Sequence, residues 1–225
     1  RSGCAVPLEA IGILKRRFGD EVAVMGKVFG PWTLGYHLFG IQEFLINTIL
    51  DPDAVKRAMA GLKEVAVIFG RAQIEAGADV LCLADHATRD LCSPETYRDF
   101  LLETHQYLNS ELDVPIVLHI CGDTSDRLGY IGETGFACFH FDSRVPAATA
   151  MELADGRIGL MGGTSNLDVI RTGDEAAIRS DVAEKVAVGI DIIGPECAVP
   201  LDAPYANLKL HAEVAKDAGS PSDAS

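Results

Sequence analysis

Pro115-Ile116-Val117-Leu118-His119-Ile120-Cys121-Gly122 is an apolar run that ends in a histidine and a cysteine two residues apart, followed by glycine. In a β-strand, side chains two apart share a face. The spacing therefore predicts that Val117, His119 and Cys121 point the same way, with the two ligand-type residues at the C-terminal end of the strand. An imidazole and a thiolate on one rigid strand make half of a zinc site. A third ligand is required. Cys197 is the best candidate, because Ile192-Ile193-Gly194-Pro195-Glu196-Cys197 is another apolar run that reaches a cysteine at a strand-to-loop edge. The competing reading is core packing, since buried histidines and free cysteines are common.

On both sides of this stretch, buried-strand patterns alternate with helix patterns. Leu8, Ile11, Leu14 and Phe18 form one face of a helix stopped by Gly19. A strand from Val22 runs to Phe29-Gly30-Pro31, and helical pattern follows to Leu50, broken around Gly35 and Gly40. Asp51-Pro52 caps and starts the longest helix, which runs to about Ala76 and stops at Gly77. Val80 to Ala84 is a strand, and Ser93-Pro94-Glu95 repeats the cap-then-proline signature for a helix to about Leu112. After the histidine-cysteine strand, Gly135 ends a further helix. Strands are expected at Ala137–Asp142, Ile158–Met161 and Asp191–Gly194, a glycine turn at Gly162-Gly163, and helices at Pro146–Ala154, Asp174–Val188 and Tyr205–Ala218. Six strands with room for a crossover helix between each pair make an α/β protein with a parallel sheet. Asp85, His86, His119, Cys121, Asp142 and Cys197 all fall at strand ends. A C-terminal rim site suits a (β/α)8 barrel and also a doubly wound open sheet.

The length of 225 residues suits one domain, read as residues 1–218, with a disordered tail at 219–225. A formal net charge of −14 argues against binding nucleic-acid phosphate, which depends on Lys and Arg. Arg1-Ser2-Gly3-Cys4 has no signal-peptide pattern, and no uncharged run approaches the ~18 residues of a membrane span, so a cytoplasmic protein with no membrane contact is expected. Six scattered cysteines without a paired framework suit a reducing compartment.

Several pieces carry a family resemblance: Val28-Phe29-Gly30-Pro31-Trp32-Thr33-Leu34, Ser93-Pro94-Glu95-Thr96-Tyr97, His119-Ile120-Cys121-Gly122-Asp123-Thr124, Gly163-Thr164-Ser165-Asn166-Leu167-Asp168, and Cys197 followed by Pro204 and Asn207-Leu208-Lys209. In these the sequence resembles the uroporphyrinogen decarboxylase superfamily, and within it the methylcobamide:coenzyme M methyltransferases. The likeness covers nearly the whole chain except the tail. It implies a (β/α)8 TIM barrel of which this chain holds strands three to eight, the first two being absent. Either the sequence is part of a longer one or another chain closes the sheet. The decarboxylase's arginine-rich motif on its first strand has no counterpart here.

The resemblance implies Zn²⁺ on His119, Cys121 and Cys197, with a position left open for substrate. Two thiolates and a neutral imidazole cancel the +2 of zinc, so bound water would be weakly polarised and hydrolysis is a poor use. A substrate thiol can still lose its proton there and stay nucleophilic near neutral pH, where a free thiol of pKa about 8.5 is mostly protonated. The implied reaction moves a methyl group from a methylcorrinoid, held on a separate corrinoid protein, to a small thiol such as coenzyme M. Asp142 matches a superfamily acidic position resembling a fourth, displaceable ligand; the alternative is a partner that holds His119. Asp85 and His86 are candidates for lining the corrinoid or thiol pocket, against a capping or loop role. Gly162, Gly163 and Asn166 precede a helix start whose N–H groups could hold an anion such as a sulfonate, against a tight turn, which is favoured. The rival functions are another superfamily activity, with a different thiol acceptor or porphyrinogen decarboxylation, and a non-catalytic fragment that binds a corrinoid protein. Oligomeric state is left open.

Overall fold

The computed structural model describes residues 2–219. Helix α1 (Ser2–Phe18) precedes β1 (Met25–Phe29), and α2 (Pro31–Phe39), α3 (Ile41–Leu50) and α4 (Pro52–Glu75) lead to β2 (Val80–Ala84). A short α5 (Pro94–Thr96) continues through a π-helical turn at Tyr97–Leu102 into α6 (Glu103–Glu111), and β3 (Ile116–His119) follows. Next come α7 (Leu128–Ile131), β4 (Cys138–Phe141), α8 (Ala147–Ala154) and β5 (Gly159–Thr164). A second π-helical turn at Asn166–Arg171, α9 (Glu175–Val188), β6 (Ile192–Pro195) and α10 (Tyr205–Gly219) complete the described residues. Asp51 Oδ1 accepts from Ala54 N at 3.0 Å, Ser93 Oγ from Thr96 N at 3.2 Å and Asp174 Oδ1 from Ala177 N at 2.9 Å, so three helices start on side-chain caps.

The strands are all parallel and stand in the order β1-β2-β3-β4-β5-β6. A doubly wound sheet reverses direction at a switch point; this order never does, and is that of a (β/α) barrel wall. The wall is open, with β1 and β6 as its two edges among the described residues. Val28, Leu83, Leu118, Phe139 and Leu160 are register partners across five strands, and each is 3% exposed or less. They form the core under the crossover helices. One residue on, Phe29, Ala84, His119, His140, Met161 and Ile192 form the adjacent row, which faces the concave side. At the β1 edge, Gln73 of α4 is 2% exposed and takes both outward backbone groups of Lys27, accepting from its N–H and donating to its carbonyl, each at 2.9 Å. A side-chain amide thus occupies a site on the edge where another strand would pair.

The structure departs from the sequence reading at several points. Strand β3 ends at His119, so Cys121 lies beyond the strand rather than on it. Gly162 and Gly163 are inside β5 and do not form a turn. Their φ values are +99° and +77°, and a Cβ would come within 2.4 Å of the His140 ring at Gly162 and of the Phe141 ring at Gly163. Glycine is required there for close packing of β4 side chains against β5. Gly35 sits within α2, where Phe44 packs against its bare backbone, and Gly40 alone divides α2 from α3. The helix before Gly135 is a single turn, α7. Of the expected tail, Gly219 ends α10 and residues 220–225 lie outside the described residues. Among the described residues no helix is long and apolar enough to cross a membrane.

Gly162→Ala is expected to cost about 2–4 kcal/mol, combining a left-handed backbone with overpacking against His140. Urea unfolding followed by circular dichroism measures it, and a change under 1 kcal/mol would contradict the close-approach account.

Candidate metal centre

His119 occupies the last position of β3, and its Nδ1 faces the backbone carbonyl of His140 at 3.3 Å. A carbonyl only accepts, so Nδ1 carries the proton and Nε2 keeps a free lone pair. That lone pair points at Cys121 Sγ, 3.0 Å away, and at Cys197 Sγ, 3.4 Å away. The two sulfurs are 3.2 Å apart. These three ligand atoms all lie within 4.8 Å of one another.

Each cysteine is delivered by a braced loop. Gly122 follows Cys121 with φ +84°, and a Cβ on it would strike Thr88 Oγ1, so glycine permits the sharp turn that carries Cys121 back over His119. The Gly122 N–H donates to Asp142 Oδ2 at 2.7 Å. Glu196, next to Cys197, accepts from Asn166 N at 2.8 Å through Oε1 and from Ser143 N at 3.0 Å through Oε2. Its own N–H donates to Thr164 O at 2.9 Å, extending the β5–β6 pairing to the residue before the cysteine.

The cysteine pair titrates as a unit. One proton leaves readily: Cys197, stabilised first by the Cys121 thiol, is pulled down to about 3. Cys121 is pushed well above the ordinary thiol range, first by its bond to Cys197 and then by burial. A half-ionised thiol pair beside an imidazole lone pair is a donor set for a soft divalent cation. Tetrahedral Zn²⁺, with Zn–S about 2.3 Å and Zn–N about 2.0–2.1 Å, separates its ligand atoms by about 3.5–3.8 Å. The three separations need to open by about 0.1–0.6 Å to fit it.

The remaining sequence candidates divide. Asp142 lies outside this cluster of ligand atoms. Its oxygens accept from Gly122 N and from Arg144 N at 3.0 Å, so it braces the Cys121 loop, while the group orienting His119 is the His140 carbonyl. Asp85 is 1% exposed and does not line the concave face. Its carboxylate accepts from Thr33 N at 2.7 Å and from His105 Nε2 at 3.0 Å, and His105 Nδ1 meets Tyr97 OH at 2.9 Å. Gly30 makes room for it, since a Cβ there would overlap the Asp85 carboxyl. His86 is exposed on the rim; burial of its ring and then the nearby His119 hold its pKa down, while Cys197 acts the other way. Asn166 presents no free N–H to an external anion: its backbone donates to Glu196 and its Nδ2 to Ala198 O at 3.0 Å. The anion at that helix start is the protein's own carboxylate.

Further residues complete the site. His140 donates from Nε2 to Pro195 O at 2.7 Å, lies tilted against the His119 ring with 4.5 Å between centroids, and has its pKa held down by burial and then by His119. Glu196 was visible as a lone charge closing an apolar strand, the one signal that could have found it. Arg127, fully buried, donates to Ala87 O at 2.8 Å and Cys92 O at 2.7 Å, and so holds the loop after β2.

The model of the family described as uroporphyrinogen decarboxylase (URO-D) matches residues 2–218. The chain belongs to this family. It is 31% identical over 217 residues to a methylated-thiol–coenzyme M methyltransferase of Methanosarcina mazei, covering 96% of this chain and 59% of that protein. It is 31% identical over 204 residues to a methylcobamide:CoM methyltransferase of Methanosarcina barkeri, covering 90% and 60% respectively. A uroporphyrinogen decarboxylase of Trichodesmium erythraeum is 25% identical over 190 residues. The chain thus spans about 60% of the length of the first two relatives. A solved methyltransferase from Methanosarcina mazei superposes with a TM-score of 0.91 at 30% identity, covering 95% of this chain and 64% of that one. A B12-independent methionine synthase from Shewanella, at TM-score 0.67 and 13% identity, shares the fold.

Glu196→Ala is expected to weaken Zn²⁺ affinity by about 10- to 100-fold, because Cys197 loses the brace that aims it. Competition with a chromophoric chelator measures this, and an unchanged affinity would remove Glu196 from the account.

Proposed function

We propose that this chain carries the zinc centre of a methyltransferase that moves a methyl group from a methylcorrinoid, held on a separate protein, to a thiol, with coenzyme M as the acceptor. The observation that carries this reading is the meeting of His119 Nε2, Cys121 Sγ and Cys197 Sγ within 4.8 Å at the C-terminal rim of the sheet. The family membership and the printed names of the two methyltransferase relatives support it.

When bound by these three residues, Zn²⁺ lowers the pKa of an incoming thiol and keeps it nucleophilic. The chain's own groups do the rest. His119 is held in the ligating tautomer by the His140 carbonyl, and His140 in turn by Pro195. Asp142 and Glu196 fix the loops that aim the two sulfurs. Two thiolates and a neutral imidazole leave the loaded centre without net charge, so sulfur stays electron-rich. Beside the cluster the concave face opens as a cavity of about 320 Å³, walled by Met25, Cys82 and Met161, where an acceptor can reach His119 and Cys197. In the reaction the thiol proton leaves to solvent, the S–CH3 bond forms and the Co–CH3 bond breaks, its electron pair staying with the corrinoid. We assign His86, exposed on the same rim, as a contact for the corrinoid protein. Six cysteines free of disulfides among the described residues suit a reducing, cytoplasmic setting.

Zinc X-ray absorption with and without coenzyme M tests the reading: one additional sulfur is expected in the metal shell when the thiol is added. An unchanged shell at saturating thiol would overturn it. Cys121→Ala and Cys197→Ala are each expected to lose zinc, and Cys82→Ala to retain it, by metal analysis of the purified proteins.

A further inference from the structure

The concave face beside the metal ligands is apolar except at one point. The cavity is walled by Met25, Met161 and Cys82, ends at His119 and Cys197, and has no carboxylate in its lining. Lys27 is its one ammonium. The side chain of Lys27 is exposed and pairs with no carboxylate among the described residues; its Nζ lies 5.6 Å from the centroid of the Phe29 ring. In a protein of net charge −14, an unpaired cation facing an apolar hollow is a conspicuous arrangement. The backbone beneath it is built, not loose: Gln73 grips both the N–H and the carbonyl of Lys27.

The register sets the scale. Lys27 is the partner of Cys82 on the next strand, and His119 lies one strand further and two residues along. Two strand spacings of about 4.8 Å and two rises of about 3.3 Å put about 12 Å between the Lys27 and His119 Cα atoms. The lysine stem and the ligating side chains span part of that gap. What is left suits a short molecule with sulfur at one end and an anion at the other.

We propose that Lys27 is the anion-recognising residue of the acceptor site, so that this centre selects short thiols carrying a negative group, sulfonate or carboxylate, at the far end. This rests on the zinc–thiol reading above and adds to it the residue that sets acceptor specificity. Lys27 touches the non-reacting end of the substrate; it binds and orients.

The test uses the protein loaded with Co²⁺ in place of Zn²⁺, with sulfur-to-cobalt charge-transfer absorbance reporting thiol entry. Titrations with 2-mercaptoethanesulfonate, 3-mercaptopropionate and neutral 2-mercaptoethanol give three dissociation constants for the wild type, Lys27→Met and Lys27→Arg. The wild type is expected to prefer the anionic thiols by about tenfold or more, the scale of one charged hydrogen bond. Which of the two anions binds tighter separates sulfonate from carboxylate recognition. Lys27→Met is expected to abolish the preference while leaving 2-mercaptoethanol within twofold, and Lys27→Arg to keep most of it. Because the Gln73 contacts are to backbone, both variants are expected to fold, as circular dichroism checks. An unchanged preference in Lys27→Met, with thiols still entering the shell, overturns this proposal alone. If no thiol enters the shell of the wild type, the zinc–thiol reading falls and this proposal with it.

Discussion

Two carboxylates hold the rim on which everything else depends. Asp142, just past β4, accepts from Gly122 N beyond β3 and from Arg144 N in its own loop. Glu196, just past β6, accepts from Ser143 N beyond β4 and from Asn166 N beyond β5. Four consecutive strand ends are thus tied together through charged acceptors and backbone donors, each such bond worth about 1.5–3 kcal/mol. The loops could not otherwise be trusted to bring a sulfur from β6 to one from β3, since the two strands are not neighbours in the sheet. Removing either carboxylate leaves two N–H groups to find new partners and frees one cysteine of the pair.

The alternation of the strands separates stability from chemistry. The row containing Val28, Leu83, Leu118, Phe139 and Leu160 is buried beneath helices and supplies cohesion. The next row contains His119, His140 and Met161, and its end members Phe29 and Ile192 are about half exposed. A substitution at the half-exposed members of the concave row removes little buried apolar area, so its effect falls on the candidate site more than on folding. The glycines of β5 are the exception. They lie where the two purposes meet, because the rings of His140 and Phe141 need the space their missing side chains leave.

Much of this was legible in the sequence, for identifiable reasons. Parallel strands packed under helices leave mostly apolar runs, so all six were visible, and capped helix starts at Asp51 and Ser93 fixed the register of the chain between them. The histidine and two cysteines stood out because ligand-type residues closed apolar runs. What the sequence hid were partners distant along the chain. Asp85 looked like a rim residue, yet its carboxylate turns inward to His105 and the start of α2, a contact spanning 52 residues to Thr33. Gly162-Gly163 reads as a turn because glycine pairs commonly are turns; only the side chains of β4 explain two left-handed residues inside a strand. Asn166 reads as an anion site until Glu196, 30 residues on, is seen to occupy it.

The electrostatics of the concave face follow one logic. In the proposed zinc centre, the charges of the metal and its three ligands would cancel, so the centre would neither attract nor repel an ionic substrate over distance. The surface as a whole is acidic and repels anions, with screening over about 8–10 Å at physiological salt. An anionic acceptor therefore gains nothing from the general field and must be recognised locally, inside a hollow whose walls are methionine and cysteine. A single ammonium with no counter-ion among the described residues is the economical solution. Its charge stays available because the strand edge beneath it is satisfied by Gln73, an uncharged amide, and not by a carboxylate that would have paired with it.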